Sequence, residues 1–215
     1  MGDMEPQTAA GKVLWHFTMS LDGFVAGPGH GMDWMTGLSF RPGLVSEYTE
    51  TTGAVLAGRA GWDVTRAGME NGHRPYGGAW DGPIFVLTHH PEDAGPAEGF
   101  TFLNCDVAEA VRIGLDAAGG KNLEVFSPTI GRQLLERGLL DEIDLHVAPV
   151  LLGDGIRLFD NPGGLRSGRR RRRHPGCRRA SRPCWPLGGP SRLGVVLRLG
   201  VRWSCPLPFW AVVPC

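Results

Sequence analysis

The apolar positions of this chain fall into short dense runs that alternate with segments of helical period. "KVLWHFTM" (residues 12–19) has the length and density of a buried strand, and "LDGFVAGPGHGMDW" after it is a glycine-rich loop. "RPGLVSEYTETT" fits a short helix, and "GAVLAGRAGWDVTRAG" is an apolar strand that runs through Gly58 straight into a second helix. A loop rich in Gly, Pro and Tyr, "GHRPYGGAWDG", leads to the strand "PIFVLTHHP", ended by Pro91, and then to the strand "FTFLNC". In "DVAEAVRIGLDAAGG", Asp106 is a natural N-cap and Gly119-Gly120 a natural stop. "NLEVFS", "PTIGRQLLERG" and "DEIDLHVAPVLLG" complete the series as a strand, a helix and a longer strand. Such alternation requires crossover connections. It predicts an α/β fold in one domain, a mostly parallel twisted sheet with helices on both faces.

After Gly164 this patterning stops. Residues 165–215 contain no Asp, Glu, Lys, Asn, Gln, Ile, Met, Thr or Tyr and are crowded with Arg, Gly, Pro, Cys and Trp. The formal net charge of zero hides the change: residues 1–164 hold 10 Lys+Arg against 22 Asp+Glu, whereas 165–215 hold 12 Arg and no acid. "RSGRRRRRHPGCRR" reads either as an arginine-rich arm that neutralises nucleic-acid phosphates or as the product of a GC-rich coding sequence read in the wrong frame. Both readings predict poor order there and no fixed helix or strand. The expected organisation is an N-terminal arm (1–11), one domain (12–164) and a tail (165–215).

"MGDMEPQTAAGK" places no apolar run behind a basic segment, so the expected location is cytoplasmic. Four of the five cysteines lie in the tail and Cys105 alone in the acidic body, which suits a reducing compartment. The apolar end of the tail is broken by Arg198, Arg202 and prolines, far from the roughly 20 clean apolar residues of a membrane span, so no transmembrane helix is expected.

Four segments, in order, carry a family resemblance: "TMSLDGFVAG", "VLAGRAGWD", "IFVLTHHP" and "VFSPTIGRQLLERGLLDEIDLHVAPVLLGDGIRLFD". Across roughly residues 12–160 the chain resembles the dihydrofolate reductase-like family, in particular the bacterial members related to the C-terminal reductase domain of the riboflavin-biosynthesis deaminase/reductase. The resemblance implies NADPH-dependent hydride transfer to a small oxidised substrate, heterocyclic or carbonyl, and a homodimer. It also implies a closing pair of strands after "IRLFDNPGG", where the tail stands here, so those strands are expected to be missing.

A coenzyme pyrophosphate is well held by free backbone N–H groups at a helix start, where the macrodipole favours negative charge. Two strand-to-helix junctions offer this, at Gly58-Arg59 and at Ser127-Pro128-Thr129-Ile130-Gly131; ordinary capping is the competing reading. The family reads Gly-Gly where Ser127-Pro128 stands, with a cis bond in its classical members. Proline lowers the cost of a cis bond, so a cis Ser127-Pro128 turn is expected, with contacts from Ser127, Thr129, Ile130 and Gly131. By resemblance Arg59, Thr88 and His89 take the 2′-phosphate, with an Arg59–Asp63 ion pair as the competing reading. The same resemblance implies that Thr18, Val25 and Ala26 line the nicotinamide, and Trp34 and Tyr48 are the expected substrate contacts. Asp33 is the candidate proton donor, Glu47 and Tyr48 being further ones; the stretch after Trp34 lacks the carboxylate of the classical enzymes, which argues against dihydrofolate itself. Asp22, before Gly23, is expected to shape its loop rather than to catalyse. No metal site is expected, and the rival function is a non-catalytic nucleotide or nucleic-acid binder that uses the arginine run.

Overall fold

The structure, a computed structural model, describes residues 7–67, 74–95, 97–160, 194–198 and 202–203. The body contributes β1 (Val13–Met19), β2 (Phe24–Ala26), β3 (Leu38–Ser39), α1 (Leu44–Thr51), β4 (Thr52–Gly58), α2 (Arg59–Ala67), β5 (Ile84–Leu87) and β6 (Phe100–Leu103). It continues with α3 (Val107–Ala118), β7 (Asn122–Phe126), α4 (Pro128–Arg137), β8 (Glu142–Val147) and β9 (Ile156–Arg157). The tail adds β10 (Gly194–Arg198) and β11 (Arg202–Trp203). A seven-stranded sheet runs β10-β8-β1-β7-β4-β5-β6, parallel at every pair, and β2–β9 and β3–β11 are small antiparallel pairs.

Strand period two sorts the side chains. Val13 and Trp15 of β1, Leu123 and Val125 of β7 and Leu145 of β8 pack with Val107, Ala110 and Val111 of α3 and Ile130 and Leu134 of α4. On the other face Leu14 meets Leu44 and Tyr48 of α1, and Trp62 of α2 meets Val86 of β5. Helices therefore cover both faces of a parallel sheet, as the alternating pattern predicts. Close packing explains Gly131: a Cβ there would lie 2.0 Å from the Trp15 ring, so α4 sits on β1 at a distance only glycine permits.

Three expectations are corrected. β8 ends at Val147, short of the longer strand read in "DEIDLHVAPVLLG", because Pro149 cannot continue a ladder. The glycine-rich loop after β1 contains β2, whose Phe24 and Ala26 pair with Arg157 and Ile156. The tail, from which no strand was expected, supplies β10: "GVVLR" pairs with β8 over Glu142 to His146. A short β-branched run beside an unpaired strand edge can satisfy that edge whatever the composition around it. The six body strands are thus extended by one tail strand, while the segment directly after "IRLFD", where a closing pair was expected to be missing, lies outside the described residues.

Candidate functional site

Parallel strands end together, and the helices that follow them begin there. A cavity of about 1070 Å³ opens at the carboxyl ends of β1, β4, β5 and β7, between the first turns of α2, α3 and α4. Its walls include Phe17, Gly58, Arg59, Thr88, Ser127 and Thr129. Of the residues assigned to the coenzyme from sequence, the cavity also brings together Val25, Ala26, His89 and Ile130. Thr18 and Gly131 are not on its wall; Gly131 is instead the close-packing residue of α4.

The three helix starts differ. At α4 no peptide bond is cis among the described residues, so Ser127-Pro128 is trans, which corrects the expected cis turn. The reason is local: Pro128 occupies the first helical position, where its fixed φ suits the helix and its missing N–H costs nothing, and Ser127 is the N-cap. The Ser127 hydroxyl accepts from the Ile130 N–H at 3.3 Å, and the Gly131 N–H bonds the Ser127 carbonyl at 2.9 Å. Two backbone donors expected for a pyrophosphate, the N–H groups of Ile130 and Gly131, are thereby used inside the turn, and the hydroxyls of Ser127 and Thr129 are left to donate. Gly58 makes this corner possible, since a Cβ there would come within 2.7 Å of the Ser127 hydroxyl. At α3 the start is closed by its own acid: Asp106 caps Ala108, and Arg137 reaches both Asp106 oxygens at 2.7 Å. That arginine, with the Ala108 N–H, holds the Asp106 carboxyl below its ordinary range. At α2 the first-turn residues Arg59, Ala60 and Gly61 line the cavity directly.

Arg59 is heavily engaged. Its Nε donates to Asp63 at 2.7 Å, Nη1 to the His90 carbonyl at 2.9 Å and the Thr88 hydroxyl at 3.5 Å, and Nη2 to the Asp93 carbonyl at 3.2 Å. The ion pair of the competing reading is present, yet these same bonds aim the guanidinium at the cavity's β5 end. Nearby, His90, Glu92 and Asp93 bring three ligand atoms within 4.8 Å of one another, all exposed. Cys105 lines the wall, and burial pushes its thiol up, as suits a packing residue.

Of the residues assigned to the substrate or to proton donation from sequence, Asp33 is exposed and Trp34 half-buried, and neither lines the cavity, although Met32 and His30 do. Tyr48 is 1% exposed and sits on the α1 face of the sheet, where sequence reasoning missed its partners. Its hydroxyl donates to Asp144 at 2.6 Å and lies 3.0 Å from His146 Nε2; its ring stacks on His16 at 4.1 Å. Beside them Glu124, fully buried on the central strand, accepts from Thr52 at 2.5 Å and from the Tyr76 hydroxyl, and lies 3.5 Å from His16 Nδ1. The signal was present in the sequence: His16, Glu124, Asp144 and His146 each interrupt an apolar run, and Asp144 and His146, two apart on β8, share one face.

Asp22, expected to shape its loop by bonding its own backbone, reaches much further along the chain. It accepts from Ser20 at 2.6 Å, Gly153 at 2.7 Å and Leu152 at 3.1 Å, which ties the β1–β2 loop to the turn before β9. These donors, Ser20 foremost, hold its carboxyl at about 2.

Comparison with known proteins places this geometry. The family described as the RibD C-terminal domain matches residues 11–174. The chain belongs to that family. It is 27% identical over 150 residues to the uncharacterized protein YwjB of Bacillus subtilis, covering 69% of this chain and 82% of that one. Among solved structures it resembles a Shewanella sp. PV-4 protein provisionally named for riboflavin biosynthesis, with 22% identity, a TM-score of 0.57 and coverage of 70% and 84% of the two chains. It also resembles the diaminohydroxyphosphoribosylaminopyrimidine deaminase/5-amino-6-(5-phosphoribosylamino)uracil reductase of Thermotoga maritima, with 17% identity and a TM-score of 0.50 over 72% of this chain. The match spans about half of that larger protein, 49%. Among the described residues no helix of this RibD C-terminal domain protein is long and apolar enough to cross a membrane.

Proposed function

We propose that the chain is a reductase that binds NADPH along the strand-end cavity and passes a hydride from its nicotinamide to a small oxidised heterocyclic or carbonyl compound other than dihydrofolate. The supporting observation is the order of groups along one cavity. By the strand order β1-β7-β4-β5, Arg59, Thr88 and His89 stand toward β5, the first turns of α2 and α4 between, and Val25, Ala26, Phe17 and Phe126 toward β1. That sequence suits a 2′-phosphate, a pyrophosphate and a nicotinamide ring in turn. When bound, the coenzyme supplies two electrons as hydride, and the substrate also takes up a proton. Asp33, next to the wall residue Met32, is the proposed donor; Asp33→Asn with unchanged turnover removes it from the mechanism. A homodimer is the assembly proposed with this reading.

The test is a titration of the full chain with NADPH and NADH, followed by nicotinamide fluorescence. Because Arg59 already serves Asp63, a 2′-phosphate must share its fork, and Arg59→Ala is expected to weaken NADPH about tenfold or more while NADH changes little. Asp63→Asn, which frees the Nε donor, should strengthen NADPH. Equal affinity for both nucleotides, unaffected by either substitution, overturns the 2′-phosphate assignment; no binding of either overturns the reductase reading.

A further inference from the structure

Glu124 is a buried carboxylate on the central strand that the coenzyme cavity does not use. It has two hydroxyl donors of unlike origin. Thr52 sits on the neighbouring strand β4 and is fixed by the sheet. Tyr76 comes from the connection between α2 and β5, in a turn where Tyr76, Gly77 and Gly78 all have positive φ, at 59°, 65° and 85°. A non-glycine residue rarely adopts that conformation, and here it carries a half-buried ring from the surface onto the sheet face. The ring lies nearly parallel to Tyr48 and His16, at 6.0 and 6.5 Å between centroids, with its edge toward Phe126 at 6.3 Å. Phe126 and Phe17, 6.5 Å apart, both line the coenzyme cavity, so the Tyr76 ring is separated from the proposed nicotinamide end by one layer of aromatic side chain.

We propose that Tyr76 is a removable plug: its ring occupies the seat of the substrate ring, and the surface beneath it, the stacked His16 and Tyr48 rings with the Glu124 carboxylate, recognises a planar aromatic heterocycle bearing N–H donors. This rests on the reductase reading and deepens it by naming how the substrate is held. A buried carboxylate must keep its donors, so whatever displaces the Tyr76 hydroxyl has to bring an N–H or O–H to the same oxygen. It must also be flat, because the face it replaces is parallel to Tyr48 within 10°. Burial and the Glu124 charge push Tyr76 far above the usual phenol range, which keeps its hydroxyl a donor while it occupies the seat. His16 beside Glu124, and Asp144 and His146 behind Tyr48, hold the supporting rings in place.

The chain has two tyrosines, Tyr48 and Tyr76, so 3-fluorotyrosine labelling gives two fluorine resonances that Tyr76→Phe assigns. The ligand tested is 2-aminobenzimidazole, a planar ring with adjacent N–H donors; 1,2-dimethylbenzimidazole, of similar shape without them, is the control. On adding the first compound to the full wild-type chain, the Tyr76 resonance should move toward that of free fluorotyrosine while Tyr48 stays. The control should leave both in place, Tyr76→Ala should tighten binding and Glu124→Gln should weaken it, each by about tenfold. A Tyr76 resonance that does not respond at millimolar ligand, or that responds equally to both compounds, overturns the proposal without any variant having to fold. NADPH fluorescence in the same sample separates the two readings. Coenzyme binding with an unmoved Tyr76 leaves the reductase and removes the plug, whereas plug displacement without coenzyme binding does the reverse.

Discussion

At the scale of single residues, the glycines of the strand-to-helix corners divide into roles that their spacing alone does not reveal. Gly131 stands inside a stretch that invites a phosphate-loop reading, yet its missing side chain is filled by the Trp15 ring. Gly131→Ala should therefore act on stability first. The added methyl must push Trp15 or α4 aside, an overpacking cost of about 1–3 kcal/mol, read as a lower midpoint in thermal or denaturant unfolding. If the substitution leaves stability unchanged and abolishes coenzyme binding, the packing role is wrong. The sequence made Ser127 and Pro128 conspicuous but could not say which of their groups faced a ligand. That depends on whether the N-cap hydroxyl turns inward to Ile130, as it does, and such a choice is settled by the helix's own unsatisfied donors before any coenzyme arrives.

At the scale of elements, the alternation of strand and helix was legible because the longer body elements carry their own signals: Asp106 caps α3, Gly119 stops it, and Pro91 ends the segment after β5. What escaped were contacts between elements far apart in sequence. β2 is three residues long and finds β9 about 130 positions away, with no periodicity to announce it. Asp22 makes the same connection through its side chain and carries a pH signature. Its carboxyl is held at about 2 against an ordinary 3.8, so it contributes stability that is complete above the ordinary value and is lost as pH falls through 2. Asp22→Asn removes that contribution. The stability gap between wild type and Asp22→Asn should be constant above about pH 4 and close on descending toward about 2. A gap that stays open at low pH would mean that Asp22 acts through something other than its charge.

At the scale of the molecule, the chain joins an acidic body to a basic tail, and the two meet at β8. The body's 22 acids and the tail's 12 arginines give each part a field of opposite sign, and β10 pairs with the strand that carries Glu142 and Asp144. The buried cluster on the same sheet face was only half legible for a related reason. A polar residue inside an apolar run announces that it needs a partner, but His16, Glu124, Asp144 and Tyr48 come from four elements, and only the strand order β8-β1-β7 brings them together. The β8–β10 pairing should depend on long-range charge in a way the central pairs do not. Raising ionic strength from about 0.1 to about 1 M shortens the screening length from roughly 10 to 3 Å, which weakens attraction across the whole acidic surface and leaves the backbone ladder untouched. Amide hydrogen exchange of the β8 edge that faces β10 should accelerate under that change, while exchange in β4 and β7, paired on both sides within the body, should stay slow. Equal protection at both salt concentrations would mean that the backbone ladder holds β10 without help from charge.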